Sequence, residues 1–165
     1  MKHILTLIDK ILDLLGTIPR TVDSDSDKDR ANKIVDKLIK YTNSLEKLIK
    51  AHRDDEYMQR LHSSSISQVK GFADEVENLF RDLISLLDIL KEDAKDMKKI
   101  VNDGDIEDRS KKWCSAVAHL NMGVLMLQLN KHEKRIQKFL KIKTFQEHEL
   151  RKIIDCEDHV VELLA

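Results

Sequence analysis

Apolar side chains return at intervals of three and four along most of this chain, the period of a helix that buries one face. In the first sixteen residues Ile4, Leu5, Leu7, Ile8, Ile11, Leu12, Leu14 and Leu15 fill one half of a helical wheel, and Thr6, Asp9, Lys10 and Asp13 fill the other. The spacing predicts an amphipathic helix over residues 1–16. Gly16 is expected to close it in the left-handed conformation, with Pro19 beyond as a barrier to extension. Its apolar face is wider than one seam needs, which suits contact with two neighbours at once.

Residues 20–30 read as a polar, acidic linker. The helical period resumes with Ala31, Ile34, Val35, Leu38, Ile39, Leu45, Leu48 and Ile49, predicting a second helix to about Ala51. It fades at Arg53, Asp54, Asp55 and Glu56, and a serine cluster, Ser63 to Ser65, comes before the next periodic segment. Ser65 and Gln68 have the spacing of a capping box that would open a third helix. From there Val69, Val76, Leu83, Leu90 and Met97 hold one heptad position, the longest regular run in the chain.

Asn102, Asp103 and Gly104 supply a turn, after which the chain is expected to pack back antiparallel on the helix it has left. No charged residue occurs from Trp113 through Asn130, so this stretch is predicted to be a central helix and the most buried one. The final segment carries Ile136, Phe139, Leu140, Leu150, Ile153, Ile154, Val160, Val161, Leu163 and Leu164, with signals for a restart at Asn130/Glu133 and at Thr144/Glu147. These elements predict an all-α fold: an antiparallel bundle of four main long helices, five counting the N-terminal one, in a single domain over residues 1–165.

Composition narrows the reading. Only 4 Gly and 1 Pro occur in 165 residues, too few for the turns of a many-stranded fold. Charge is dense but balanced, 29 Lys+Arg against 30 Asp+Glu, so any attraction to a polyanion has to be local. Asp9, Lys10 and Asp13 interrupt the first apolar run in a way a signal peptide does not, and Ser115, His119, Asn121 and Gln128 interrupt the uncharged stretch as a membrane span does not. An intracellular, cytoplasmic protein that is not transmembrane is the expectation, with Cys114 and Cys156 as reduced, buried thiols.

Few residues offer chemistry. Asp23, Asp25, Asp27 and Asp29 alternate as a calcium loop begins, but Lys28 stands where its turn glycine belongs and Ile34 where its bidentate glutamate belongs. They read instead as acids that favour the positive end of the following helix. His148, Asp155, Cys156 and His159 suggest metal ligands on one side of the last helix, yet residues eleven apart are separated by about 16 Å along a helix axis. No histidine follows a glutamate by three positions as in carboxylate-bridged di-iron bundles, and no phosphate loop or nucleophile elbow occurs. His119 reads as a structural histidine bonded to a neighbour such as Ser115. No catalytic residue, metal, cofactor or small-molecule substrate is expected.

Two surfaces remain as candidates. Lys131, Lys134, Arg135, Lys138 and Lys141 share a helix face opposite Leu129, Ile136, Phe139 and Leu140, a pattern that could hold phosphates of nucleic acid or acidic lipid, or be a solvated face paired with the chain's own acids. Ile4, Leu7, Ile8, Ile11, Leu12 and Leu15 form an apolar face that could mediate assembly or lie in the chain's own core. The function these patterns predict is a non-enzymatic helical protein–protein interaction module, an adaptor, scaffold or accessory subunit, with a protein partner or self-association. The alternative is a nucleic-acid- or anionic-lipid-binding accessory protein.

Overall fold

The heptad leucines and valines that stand out in the sequence set the frame of the molecule. In a computed structural model, which describes residues 2–103, 106–120 and 125–138, Val69, Val76, Leu83, Leu90 and Met97 are all buried along one side of a single 35-residue helix. The described residues contain α1 (Lys2–Gly16), α2 (Asp25–Arg53), α3 (Glu56–Ser63), α4 (Ser67–Val101), α5 (Ile106–His119) and a helical stretch, α6, over residues 125–138. The fold is all-α, with the helices packed on one another.

Cross-contacts give the directions. Asn32 pairs with Asn102, Asp36 with Lys98, Glu46 with Lys91 and Arg53 with Glu77, so α2 runs antiparallel to α4 from Glu77 onward. Helix α1 packs along α2, with Lys10 5.4 Å above the Tyr41 ring. Lys112 meets Asp103 and Arg135 meets Asp82, so α5 and α6 together descend beside α4. Glu133 of α6 meets Asp9 of α1 and closes the ring of four columns. One continuous core joins α1, α2, α4, α5 and α6.

The helix ends show where local chemistry differs from expectation. Gly16 does not adopt a left-handed φ; it is the last residue of α1, and both the N–H and the hydroxyl of Thr17 donate to the Leu14 carbonyl at 3.1 Å. With Thr17 closing the turn, a left-handed residue is unnecessary. The acidic linker is shorter than residues 20–30, because Ser24 accepts from the Asp27 N–H and starts α2 at Asp25. Asp25 and Asp27 thus occupy the first turn, where carboxylates meet the positive end of the helix dipole.

Between α2 and α4 the chain does not simply fray. It forms α3, whose Leu61 packs with Val69 and Ala73 in a small satellite core bridged to the main one by Met58. The capping box at Ser65 and Gln68 is not formed. Ile66 occupies the N-cap position of α4 without a side-chain bond, and the Ser64 hydroxyl accepts from the Ile66 N–H at 3.1 Å.

The uncharged stretch beginning at Trp113 is neither one helix nor the most buried element. Helix α5 ends at His119 and Leu120 is in a turn. Trp113 is fully buried, but Cys114, Ser115 and Ala118 are exposed and Leu127 is 69% exposed. Lack of charge is a poor guide here because the small side chains Cys, Ser and Ala lose little by facing water. Cys114, expected to be buried, is exposed, with its thiol donating to the Arg20 carbonyl at 3.4 Å. Through Asn130 and Glu133 α6 continues without a restart. The second restart, at Thr144/Glu147, lies outside the described residues.

Candidate interaction surface

The two candidate surfaces fare differently in the fold. Ile4, Ile8, Ile11 and Leu15 are fully buried in the chain's own core, and Leu7 and Leu12 are partly buried against it. Each fully buried aliphatic side chain contributes about 1.5–3 kcal/mol. The apolar face is wide because α1 lies between two columns, packed along α2 on one side and meeting α6 through Asp9 on the other. In this fold it is interior and not a free assembly surface.

Of the basic residues, Lys131, Lys134 and Lys138 are exposed on α6, opposite the buried Leu125, Leu129 and Ile136. Among the described residues none of these three lysines has a carboxylate within ion-pair distance. Arg135 departs from the expected face: it is half-buried and turns toward Asp82 of α4 at 3.6 Å. Lys141, Phe139 and Leu140 lie outside the described residues, as do His148, Asp155, Cys156 and His159. The side chain of His119 is also outside them, and Ser115, its supposed partner, faces solvent.

Polar anchoring around α5 is the feature that sequence reasoning missed. The Trp113 indole N–H donates to the Pro19 carbonyl at 2.8 Å, with the ring wholly buried. One turn earlier Arg109, only 4% exposed, donates to the Val22 carbonyl at 3.1 Å and the Asp103 carbonyl at 3.5 Å. The Ser110 hydroxyl donates to Asp23. These contacts give partners to the carbonyls of the α1–α2 connection, which lies outside any helical ladder. The available signal was the pairing of Arg109 and Trp113 four residues apart on one helix face, opposite a Pro-containing loop.

A second polar feature lies where α6 enters the bundle. His132 is 8% exposed and its Nδ1 has no partner among the described residues; burial, followed by the nearby Arg135, lowers its pKa. The adjacent Glu133 meets Asp9. Burial, then the hydrogen bond to Asp9 and its charge, push the Glu133 carboxyl up to about 7. Two neighbouring residues therefore favour their uncharged forms for the same reason, removal from water.

The described surface also contains an open groove of about 310 Å³ between α4 and α5, lined by Asp93, Asp96, Ile100, Lys112, Ser115 and Ala116. Lys112 is held there by Asp108 and Asp103, which raise its pKa. Among the described residues no three His, Cys, Asp or Glu side chains are grouped to hold a metal ion, and no helix is long and apolar enough to cross a membrane. Comparison with known proteins finds no matching family model, curated protein or solved structure.

Proposed function

We propose that this chain is a non-enzymatic interaction module of the cell interior, an adaptor or accessory subunit that presents the outer faces of a helical bundle to another protein. The observation that carries this reading is the sorting of charge on those faces: three lysines on α6 without an ion pair among the described residues, around the 69% exposed Leu127, beside acidic side chains on α4. Ordered helices that use their apolar stripes internally have only such outer faces to offer a partner. A large exposed apolar residue within a charged rim is the usual composition of a reversible protein contact.

Lys131, Lys134 and Lys138 also support a second reading, an anion-binding face for nucleic acid or acidic lipid. Affinity purification of the tagged chain from its native cells, with mass spectrometry and a nuclease-treated control, separates the two. The interaction module predicts stoichiometric recovery of protein, either a distinct partner or untagged copies of the chain, that survives nuclease. Recovery that vanishes with nuclease, together with loss of nucleic-acid binding in Lys131→Glu/Lys134→Glu, would replace it with the second reading.

A further inference from the structure

The two exposed large apolar side chains among the described residues, Ile89 at 58% and Leu127 at 69%, sit on adjacent helices, α4 and α6. Their relative height follows from the ion pairs. Arg135 is level with Asp82 toward one end and Lys112 with Asp103 toward the other. Antiparallel helices rise equally per residue, so, eight residues from the Arg135–Asp82 pair, position 127 of α6 stands opposite position 90 of α4, one residue from Ile89. Ile89 is seven residues from both Asp82 and Asp96 and four from Asp93, which puts it on the side of α4 turned to the α5–α6 column. Leu127 shares the outward face of α6 with Lys131, Lys134 and Lys138 at spacings of four, seven and eleven.

The surroundings of the two residues are opposite in sign. Exposed around Ile89 are Asp82, which Arg135 of α6 meets at 3.6 Å, and Asp88, Glu92 and Asp96, while Arg81 reaches Glu77 at 3.9 Å and Lys95 reaches Glu92 at 3.8 Å. Exposed around Leu127 on α6 are Gln128, Asn130, Lys131, Lys134, Gln137 and Lys138, without an exposed carboxylate among the described residues of that helix. An acidic strip and a basic strip thus lie side by side, each with one large apolar side chain, the two within one residue of the same height.

We infer that the occupant of this surface is a second copy of the chain, related by a two-fold axis along the α4–α6 seam. Rotation about such an axis keeps height and exchanges the strips. Ile89 then falls against Leu127 of the second copy and Leu127 against its Ile89, a closed apolar centre of four side chains. Lys131 and Lys134 come opposite Asp88 and Asp82 of the second copy, and the same contacts form twice, as an isologous interface requires. A polyanion would meet the acidic strip next to the lysines, and like charges in contact are costly, so a self-complementary partner fits better. Each strip is about 20 Å long, which suits a small, reversible interface in the micromolar range.

This inference rests on the interaction-module reading, and the experiment is sedimentation velocity of the full chain from about 1 μM to about 500 μM. Concentration-dependent dimerisation is expected, weakened roughly tenfold or more in Leu127→Glu, which disturbs no ion pair of the fold. Lys131→Glu and Asp88→Lys, which leave the Arg135–Asp82 pair of the fold in place, should each dimerise poorly alone, because both halves of each interface then oppose like charges. Mixed together they should restore a dimer, because both halves are again complementary. Circular dichroism checks that each variant keeps the native helix content. A native chain that stays monomeric, a dimer indifferent to Leu127→Glu, or a mixture that does not recover would overturn the two-fold contact. If the native chain is monomeric yet recovers a nuclease-resistant protein partner, only self-association falls; if it recovers none, the interaction reading falls with it.

Discussion

The α2–α4 pair and the α5–α6 column are both antiparallel to their neighbours, but they are held by different means. Along α2 and α4, Leu38, Leu45, Ile49, Val76, Leu83, Leu87 and Leu90 form an apolar seam in which Thr42 is the one uncharged polar side chain among the described residues, and the ion pairs, such as Lys98–Asp36 and Lys91–Glu46, lie at its edges. In α5 and α6 the apolar anchors are fewer, and buried polar groups intervene: Arg109, His132 and the part-buried Glu133. The same column carries the exposed Leu127 and Cys114. An apolar seam specifies that two helices pack, with little demand on the atoms it meets. A buried polar anchor requires one particular partner in one place.

The sharpest way to test this contrast is to damage each region in its own manner. Leu83→Ala should cost about 2–5 kcal/mol, because it opens a cavity in a seam shared by the whole bundle. Urea denaturation should show one cooperative transition at lower midpoint, and hydrogen exchange should accelerate throughout α2 and α4. Trp113→Phe keeps most of the buried ring volume but strands the Pro19 carbonyl, so a smaller loss of about 1–3 kcal/mol is expected. Exchange should then speed up mainly in α5 and residues 17–24. A loss spread evenly over α2 and α4 would erase the distinction between the two regions.

The pH response should separate the regions further. Glu133 has a folded pKa of about 7 against 4.5 for the unconstrained group, so the native state holds this proton more tightly than the unfolded chain. Stability from Glu133 is therefore present below about pH 4.5 and lost as pH rises to about 7. Glu133→Gln should remove that slope and gain about 1–2 kcal/mol at pH 8, after discounting for partial solvent exposure. His132 acts in the opposite direction: its lowered pKa means stability present above pH 6.5 and lost as pH falls through the folded value. Guanidinium unfolding of native and Glu133→Gln chains between pH 5 and pH 8 measures the difference, and identical slopes would remove Glu133 from the account. The smallest effect is expected at the seam's edge, where Lys98→Ala should change stability by less than about 0.5 kcal/mol, both groups of the Lys98–Asp36 pair being half-exposed.

Legibility in the sequence follows the same division. The heptad of α4 and the face of α1 were readable because each apolar residue carries its burial in its own spacing. Val69, Val76, Leu83, Leu90, Met97, Ile4, Ile8, Ile11 and Leu15 are all in the interior. The burial expected from Trp113 to Asn130 was misread, since absence of charge is a property of residue type and not of position. On the candidate basic face, Lys131, Lys134 and Lys138 stand together as their spacing requires, whereas Arg135, one residue from Lys134, is turned to Asp82 by a neighbouring helix that no local pattern reveals.

What the sequence alone determined is the long amphipathic helices α1, α2 and α4 and the side each of them buries, because a period of 3.6 acts within a few residues and needs no knowledge of the rest of the chain. What only the tertiary structure decided is the partner of each polar group. Arg109 finds Val22 across 87 residues and Trp113 finds Pro19 across 94, contacts that exist because α5 folds back over the α1–α2 connection. Hydrogen bonds are short and directional, so their partners are chosen by where the backbone arrives, whereas apolar burial needs only to be out of water.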